Sequence, residues 1–517
     1  MEVLVRIISI VYLLVVSVMS DARKITDIES LYKASDGLEV VGLEYSSDAT
    51  TLTFRTTKAC TPTLKVGHGI YIVDDNGQRH HAIGSEGIKL DSLYVMVKGQ
   101  PRKFSISFDS VDVDNKLLDV RDPGFIVVYG LHDRNDSVTI PKVECCIDSD
   151  EYLFLQSGED GFVEIEGAFH SSDEVDGTVL YFDYDCLDFQ IEEDQYAKVD
   201  KDGHFKLRFM VGPPQTVLVK KGYANSGEYL GYLYLRPGDK IRLDIYDVNE
   251  GKDMSVRNLS GRKTYERFGG LMNRQFFFNI SDYIEDIWTN FTHMGYDAHN
   301  ADLWNCYNKD VEFVNYLCWH NGCSPFESHM LFTNLKETYV CQFLTLDLAV
   351  KNLYSGLKRQ EQDAILAGLD DEFDGSDTVR FLQYMDKMDY SYLKLLNPDG
   401  LACMSQNDYF HRIVNMIAQL KPLARCHDIV AKEDENRWVK IVDLQRKELN
   451  RLAGWTGFPF VAQVAIASDY PRVFGWKPAD EKLYQQVRAL LTNPYSKRYL
   501  DGLHEKCLRI ESARMHK

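Results

Sequence analysis

The chain has 517 residues and a formal net charge of −20, with 78 Asp and Glu residues against 58 Lys and Arg. This acidity argues against nucleic-acid binding and against attachment to an anionic lipid surface, because both need basic patches. Since 44% of the residues are hydrophobic, the chain can fill real cores, and its length predicts about three domains.

An apolar run near the N-terminus is typical of a secretory signal peptide. Ile7–Met19 follows Arg6, and small residues precede Asp21, so residues 1–20 are predicted to be removed by cleavage after Ser20. The run is shorter than the roughly 20 residues that a membrane-spanning helix needs. An uncleaved anchor is the alternative. No transmembrane segment is expected after cleavage, and the protein is expected to be exported.

Residues 36–132 have the pattern of a small antiparallel β-sandwich, the first domain. Phe104–Phe108 alternates strictly between apolar and polar residues, which places its aromatic and aliphatic side chains on one buried face. Asn76 and Gly77 form a hairpin signal, because this pair readily adopts positive φ.

Residues 150–248 predict a second β-sandwich, made of short strands separated by turns. His204–Phe209 alternates after the turn Asp200–Gly203, and Arg236–Asp239 forms a second turn of the same kind. The first turn resembles half of a calcium loop, but the twelfth position is Val211 rather than a bidentate Glu. A tight hairpin turn is therefore the prediction.

Residues 261–517 predict a mainly α-helical domain. Apolar residues such as Phe313 and Leu317 recur at helical spacing, and the last helix is predicted over Pro494–Ala513. The polar segment Val248–Ser260 is predicted to be an exposed linker before this domain. The expected fold class is therefore α+β multidomain: two antiparallel β-sandwich domains followed by a mainly α-helical domain.

Three segments carry a resemblance to a known family: AIGSEGIKLDSLYVMVKGQPRKFSISF (82–108), YAKVDKDGHFKLRF (196–209) and YLRPGDKIRLDI (234–245). They resemble the β-rich N-terminal half of exported TlpA-type thioredoxin-family proteins from Bacteroidetes. Ser85–Asp91 matches the family's EGI-x-LD segment, whereas Val111–Val113 departs from a proline-rich turn. The resemblance implies a periplasmic or cell-envelope location in a Gram-negative bacterium, and an accessory region that precedes a thioredoxin domain.

The cysteines do not form the redox pair of that family. No Cys-x-x-Cys occurs among the 517 residues, so no catalytic residue can be carried over from the resemblance. No other catalytic or cofactor-binding motif is found, and no cofactor is predicted. The eleven cysteines are an odd number, so at least one is unpaired within the chain or pairs between chains. They are Cys60, Cys145, Cys146, Cys186, Cys306, Cys318, Cys323, Cys341, Cys403, Cys426 and Cys507.

One cluster has ligands that zinc accepts. Cys318, His320, Cys323 and His329 lie within a short stretch and would supply two thiolates and two imidazoles. Their spacing does not match a standard zinc motif, and Asn321-Gly322 is an ordinary helix stop. A structural role, including a local disulfide, is therefore predicted, with metal binding as the alternative.

The predicted function is that of an exported, non-catalytic accessory or binding protein related to TlpA-like thiol-disulfide oxidoreductases. Its partner would be an unidentified protein or peptide, with a thioredoxin-like protein as one candidate. A nucleic-acid partner is not expected. Two alternatives remain open. The chain would act in a thiol-disulfide oxidoreductase with a separately encoded thioredoxin domain, or it would be a surface glycan- or peptide-binding protein. A hydrolase with an unrecognised site is a further enzymatic alternative.

Overall fold

The computed structural model describes residues 23–33, 38–57, 63–95, 100–121, 127–148, 150–151, 161–171, 174–183, 195–211, 214–223, 227–248, 251–265, 271, 296–367, 388–398, 409–431, 436–469 and 481–515. The predicted signal peptide, residues 1–20, lies outside these residues, as do Cys60, Cys186 and Cys403.

The chain divides into two compact units that are not contiguous in sequence. The first comprises Met1–Lys142, Asp247–Lys252 and Asn315–Gly322, and the second comprises Val143–Tyr246, Asp253–Val314 and Cys323–Lys517. The first β region thus forms one unit with two short later segments, an association that sequence periodicity does not predict.

The first β region contains one large antiparallel sheet. Its strands are β1 (Lys24–Ile25), β2 (Ile28–Lys33), β3 (Leu38–Tyr45), β4 (Thr50–Thr56), β5 (Thr63–Lys65), β6 (Tyr71–Val73), β7 (Arg79–Glu86), β8 (Leu93–Val95), β9 (Lys103–Phe108), β10 (Leu118–Arg121) and β11 (Val127–Asp133). The nine-stranded sheet has the order β1-β3-β4-β9-β7-β6-β10-β11-β2, and β5 pairs with β8. Strand β7 joins the two halves, because residues 79–81 pair with β6 and residues 82–86 pair with β9.

Side chains from both halves of this sheet form one core. On one half, Phe54 and Phe104 stack with ring centroids 5.2 Å apart. On the other half, Ile72 and Val120 are fully buried. The alternation predicted for Phe104–Phe108 is confirmed, and Gly77 has the positive φ (77°) expected of its turn. The antiparallel β structure predicted for this region is therefore confirmed, and it takes the form of one nine-stranded sheet.

The second β region contains two four-stranded sheets. Its strands are β12 (Gly161–Ser171), β13 (Val179–Asp183), β14 (Tyr196–Lys198), β15 (His204–Val211), β16 (Gln215–Lys221), β17 (Glu228–Leu235), β18 (Lys240–Val248) and β19 (Gly251–Asn258). The sheet orders are β15-β12-β18-β19 and β14-β13-β16-β17. Apolar side chains of both sheets, such as Phe182 and Phe209, form a common core.

The turn Asp200–Gly203 is tight, as predicted, but the strands on either side of it belong to different sheets. Gly203 N–H donates to Asp200 O at 2.9 Å, and Asp200 N–H donates to His204 O at 2.8 Å. The side chain of Asp200 accepts from the backbone N–H of Asp202 at 2.9 Å and of His204 at 2.8 Å. The turn therefore carries the chain from one layer of the sandwich to the other.

The predicted linker Val248–Ser260 is wrong, because most of this segment is strand β19. Met254 and Val256 pack against the sandwich core, whereas Ser255 and Arg257 are exposed. The segment is polar in composition, yet its two apolar residues stand at the period-2 spacing of a strand. The polar composition of the segment therefore led to the wrong prediction, although its apolar and polar residues alternate as in a strand.

The helical region begins after the sheets. It contains α1 (Tyr296–His320), α2 (Pro325–Ala367), α3 (Tyr409–Ile417), α4 (Lys421–Ile429), α5 (Arg437–Ala453), α6 (Phe460–Ser468), α7 (Glu481–Leu490), α8 (Pro494–Met515) and a 3-10 helix, Ser391–Leu395. Helix α6 is buried along most of its length and contacts both α3 and α8. The chain is thus an α+β multidomain protein with antiparallel sheets first and helices after them, as the sequence predicts.

Among the described helices, none combines the length and the apolar character that crossing a bilayer would require.

Candidate functional site

The four thiol and imidazole residues singled out in the sequence are divided between the two units. Cys318 and His320 belong to the first, and Cys323 and His329 belong to the second. Cys318 is a fully buried free thiol, so the local disulfide is not formed. Within the described part of the chain, no three His, Cys, Asp or Glu side chains are arranged to hold a metal ion.

His329 lies on α2 with its ring stacked near Phe326, at a centroid distance of 6.3 Å. Burial, with a smaller effect of Lys336, lowers the pKa of His329 to about 4. The imidazole is therefore uncharged at neutral pH. Its surroundings are those of a packed aromatic side chain.

His320 belongs to a different cluster, centred on the fully buried carboxylate of Asp119. Tyr316 OH donates to Asp119 Oδ1 at 2.5 Å, and Arg121 Nη2 donates to Asp119 Oδ2 at 2.8 Å. The backbone N–H of Gly130 donates to Oδ1 at 3.0 Å. His320 Nε2 lies 3.6 Å from Oδ2. We call these five residues the Asp119 centre.

The charge of the buried Asp119 carboxylate is stabilised by its neighbours. Burial, together with the charge and hydrogen bond of Asp119, raises the pKa of Tyr316 well above its ordinary value, so its hydroxyl stays protonated and donates. His320 stacks on Tyr316 with ring centroids 5.2 Å apart. The Arg121 cation balances the Asp119 charge in a buried ion pair between strand β10 and the end of α1. These buried contacts hold strand β10 and the end of α1 together.

A second charged cluster forms at the turn Arg236–Asp239, where Gly238 has a φ of 79°. Asp239 Oδ2 accepts from the backbone N–H of Arg236 at 3.0 Å and from its Nε at 3.2 Å. Asp239 Oδ1 accepts from Asn258 Nδ2 at 2.9 Å and from Arg262 Nη1 at 3.0 Å. The carboxylate is fully buried and has two hydrogen bonds on each oxygen.

Glu151 completes this cluster, which we call the Arg236 centre. Arg236 Nη1 donates to Glu151 Oε1 at 2.6 Å, and Tyr234 OH donates to Oε2 at 3.0 Å. Tyr265 OH also donates to Oε1 at 3.0 Å, and burial beside Glu151 raises its pKa. Two carboxylates thus face two guanidinium groups, those of Arg236 and Arg262. The L-x-P-G-D part of the family resemblance therefore has a structural purpose here.

A third buried acid lies in the helical region. Asp347 on α2 accepts from Tyr296 OH at 3.0 Å and from Tyr392 OH at 2.5 Å. Burial raises the pKa of Asp347 to about 7, although the two hydroxyl donors oppose the shift. The sequence contains no motif that marks this residue.

One face of the second sandwich is arranged differently. In the sheet β14-β13-β16-β17, Tyr196 is paired with Tyr181, Tyr181 with Lys220, and Lys220 with Tyr229. Directly opposed residues in a sheet point to the same face. These four residues, which we call the tyrosine row, therefore cross all four strands on one face. Their neighbours along the strands, such as Phe182, point into the core.

The tyrosine row is exposed at its Tyr229 end, and the exposed Tyr223 lies beside its Tyr196 end. Tyr229 is 57% exposed, and Tyr223, which packs near Tyr196 with ring centroids 5.9 Å apart, is 63% exposed. The rings of Tyr181 and Tyr196 lie 4.8 Å apart. Lys220 Nζ lies 5.7 Å from the centroid of the Tyr181 ring and 5.5 Å from that of Tyr229. The row thus brings three tyrosine rings and one cation together on one face of the sheet.

Asp183 neutralises that cation, because Lys220 Nζ donates to its Oδ2 at 2.6 Å. Burial, with the neighbouring Asp183 and Tyr196, raises the pKa of Tyr181 to about 12. Its hydroxyl is therefore available as a donor at any physiological pH. Sequence reasoning missed this surface, since the only signal was a tyrosine at an outward-facing position on each of three strands.

No family model and no curated protein matches the chain. Among solved structures, the sugar-binding protein pneumolysin is similar at 10% identity and a TM-score of 0.11, covering 43% of this chain and 50% of that one. The human-specific toxin intermedilysin gives 10% identity and a TM-score of 0.12, with coverages of 43% and 50%. The matched part spans about half the length of those structures. Similarity at these TM-scores supports no conclusion about fold or function.

Proposed function

We propose that the protein is an exported, non-catalytic binding protein of the bacterial cell envelope, organised like the accessory region of a TlpA-like protein. The observation that carries the proposal is the contrast between closed charged centres and an exposed aromatic face. Asp119 and Asp239 are fully buried, whereas Tyr229 of the tyrosine row and the neighbouring Tyr223 are largely exposed.

The charged centres support a structural purpose rather than catalysis. A general acid or base must reach a substrate atom, directly or through one water molecule. The Asp239 carboxylate has two donors on each oxygen, and the Glu151 carboxylate is held by Arg236, Tyr234 and Tyr265. Both carboxylates are buried and bound mainly by donors of the protein itself, so neither is placed to act on a substrate atom.

Two buried thiols, those of Cys306 and Cys426, also fit a non-redox function. A catalytic cysteine needs a lowered pKa, because the thiolate is the nucleophile. Burial is the main reason why the pKa values of Cys306 and Cys426 are raised to about 11. These thiols are therefore protonated at neutral pH and are poor partners in disulfide exchange.

Insulin reduction with dithiothreitol tests the absence of redox activity. The full chain, alone and with a separate thioredoxin, is expected to add nothing to the rate of dithiothreitol or of thioredoxin alone. Stimulation that disappears in Cys318→Ala or Cys323→Ala would instead support the alternative of an oxidoreductase that acts with a separate thioredoxin domain.

Mass spectrometry of the mature N-terminus, after fractionation of the native host, tests export. Cleavage near Ser20 and recovery from the envelope fraction are expected. An intact Met1 on protein recovered from the cytoplasm would contradict the proposal.

A further inference from the structure

We propose that the tyrosine row binds an uncharged glycan chain, laid across the four strands of its sheet. This inference rests on the proposed binding function and names the class of ligand. It follows from three properties of the face: the direction of the row, its local charge, and the way its rings are held.

The direction of the row suits a chain of flat units. Tyr196, Tyr181, Lys220 and Tyr229 follow one another across neighbouring strands. Adjacent strands lie about 4.8 Å apart, so the Tyr181 and Tyr229 positions are separated by roughly 9.6 Å. A linear oligosaccharide would place the C–H face of one sugar ring on the Tyr181–Tyr196 pair and that of another on Tyr229. The negative face of an aromatic ring attracts such weakly positive hydrogens.

The local charge favours an uncharged ligand. The ammonium group of Lys220 and the carboxylate of Asp183 form a 2.6 Å ion pair, with side chains 9% and 27% exposed. Because the pair is neutral, it offers no free cation to a phosphate or an acidic peptide. Asp183 can accept a hydrogen bond from a ligand hydroxyl, and the hydroxyl of Tyr181 can donate one. Each hydroxyl group of a sugar can both donate and accept a hydrogen bond, so a sugar suits this acceptor and this donor.

The rings are held by the sandwich rather than by a mobile loop. Leu180 and Phe182, on either side of Tyr181, are fully buried in the core. Lys220 lies near the rings of both Tyr181 and Tyr229 and so fixes their orientation on the face. Aromatic side chains that are positioned in advance lose little conformational entropy on binding. A peptide that adds a strand would instead use the sheet edge, parallel to the strands.

The test uses the full chain and a set of neutral oligosaccharides of four to six units, including gluco-, manno- and xylo-configured chains. Binding is measured on an array and then by isothermal titration calorimetry. At least one neutral series is expected to bind, with an affinity insensitive to salt. Tyr229→Ala and Tyr196→Ala should each weaken binding about tenfold or more, a change readily resolved by titration. Tyr229→Phe should keep most of the affinity, because the ring remains.

Tyr246→Ala is the matched control. Tyr246 is 39% exposed and stacks on His170 at 4.7 Å, but it belongs to β18 in the other sheet. The Tyr246→Ala variant should leave the affinity for the oligosaccharide nearly unchanged. The ligand assignment is overturned if no neutral oligosaccharide binds, if Tyr229→Ala binds as the parent does, or if acidic peptides bind the row in a salt-sensitive manner. In each case the insulin and N-terminus experiments still decide the proposed function separately.

Discussion

The Asp239 carboxylate accepts two hydrogen bonds from Arg236, the residue at which the turn begins. Its Oδ2 accepts from the backbone N–H of Arg236 at 3.0 Å and from the Nε of the same residue at 3.2 Å. One fully buried side chain therefore fixes both the backbone and the guanidinium group of a residue three positions earlier. The guanidinium then reaches Glu151.

Asp239→Ala should be strongly destabilising. The substitution leaves the guanidinium groups of Arg236 and Arg262 without one of their carboxylates, and breaking a buried ion pair in this way costs about 3–5 kcal/mol. Urea unfolding followed by circular dichroism measures the change. Asp202→Ala, at an exposed position in a turn, is the control and should stay within about 0.5 kcal/mol of the parent. Equal midpoints for the two variants would contradict the interpretation of the Arg236 centre.

A double-mutant cycle should detect coupling between Tyr316 and Asp119. Their hydrogen bond is buried, and its loss leaves a polar atom without its partner. Tyr316→Phe, Asp119→Ala and the double variant should give a coupling energy of about 0.5–3 kcal/mol in unfolding experiments. Additive single effects would show that the two residues do not act together.

The stability of the helical region should depend on the ionisation of Asp347. Burial raises its pKa from 3.8 to about 7, so folding favours the protonated form. The stability that this preference contributes is complete below pH 3.8 and is lost as the pH rises through 7. Compared with Asp347→Asn, the parent should therefore lose unfolding free energy between pH 5 and pH 8, as measured in urea. Parallel pH curves for parent and variant would refute the assignment.

Two glycines separate backbone strain from crowding. Gly87 and Gly77 have similar φ values, 82° and 77°. A Cβ on Gly87 would lie 3.1 Å from Lys103 O, whereas a Cβ on Gly77 would meet nothing within 4 Å. Gly77→Ala should cost about 1 kcal/mol from strain alone, and Gly87→Ala should cost more because the sheet must shift as well. Thermal melting of both variants checks this order. The Gly87→Ala variant should melt at the lower temperature, and equal melting temperatures would show that crowding at Gly87 has no effect.

Strands, turns and helix starts that depend on residues close together in the sequence could be predicted. The alternation at Phe104–Phe108, the turn at Asn76-Gly77 and the helix that begins at Pro494 all occur where local pattern places them. The same reasoning failed at Gly251–Asn258, where polar composition hid a strand. It also kept His320 as an alternative metal ligand because of the residue types around it, whereas the folded chain places that ring against Tyr316 and Asp119.

The succession of β regions and helical region follows from the order of residues, because hydrophobic periodicity and turn chemistry act over a few residues. Which distant residues meet depends on how the whole chain folds. Tyr316 and Asp119 are 197 positions apart, and the tyrosine row exists only through the register of four strands. Shifting one of those strands by a single residue would turn its tyrosine or lysine to the opposite face, so the surface follows from pairing and packing rather than from local propensity.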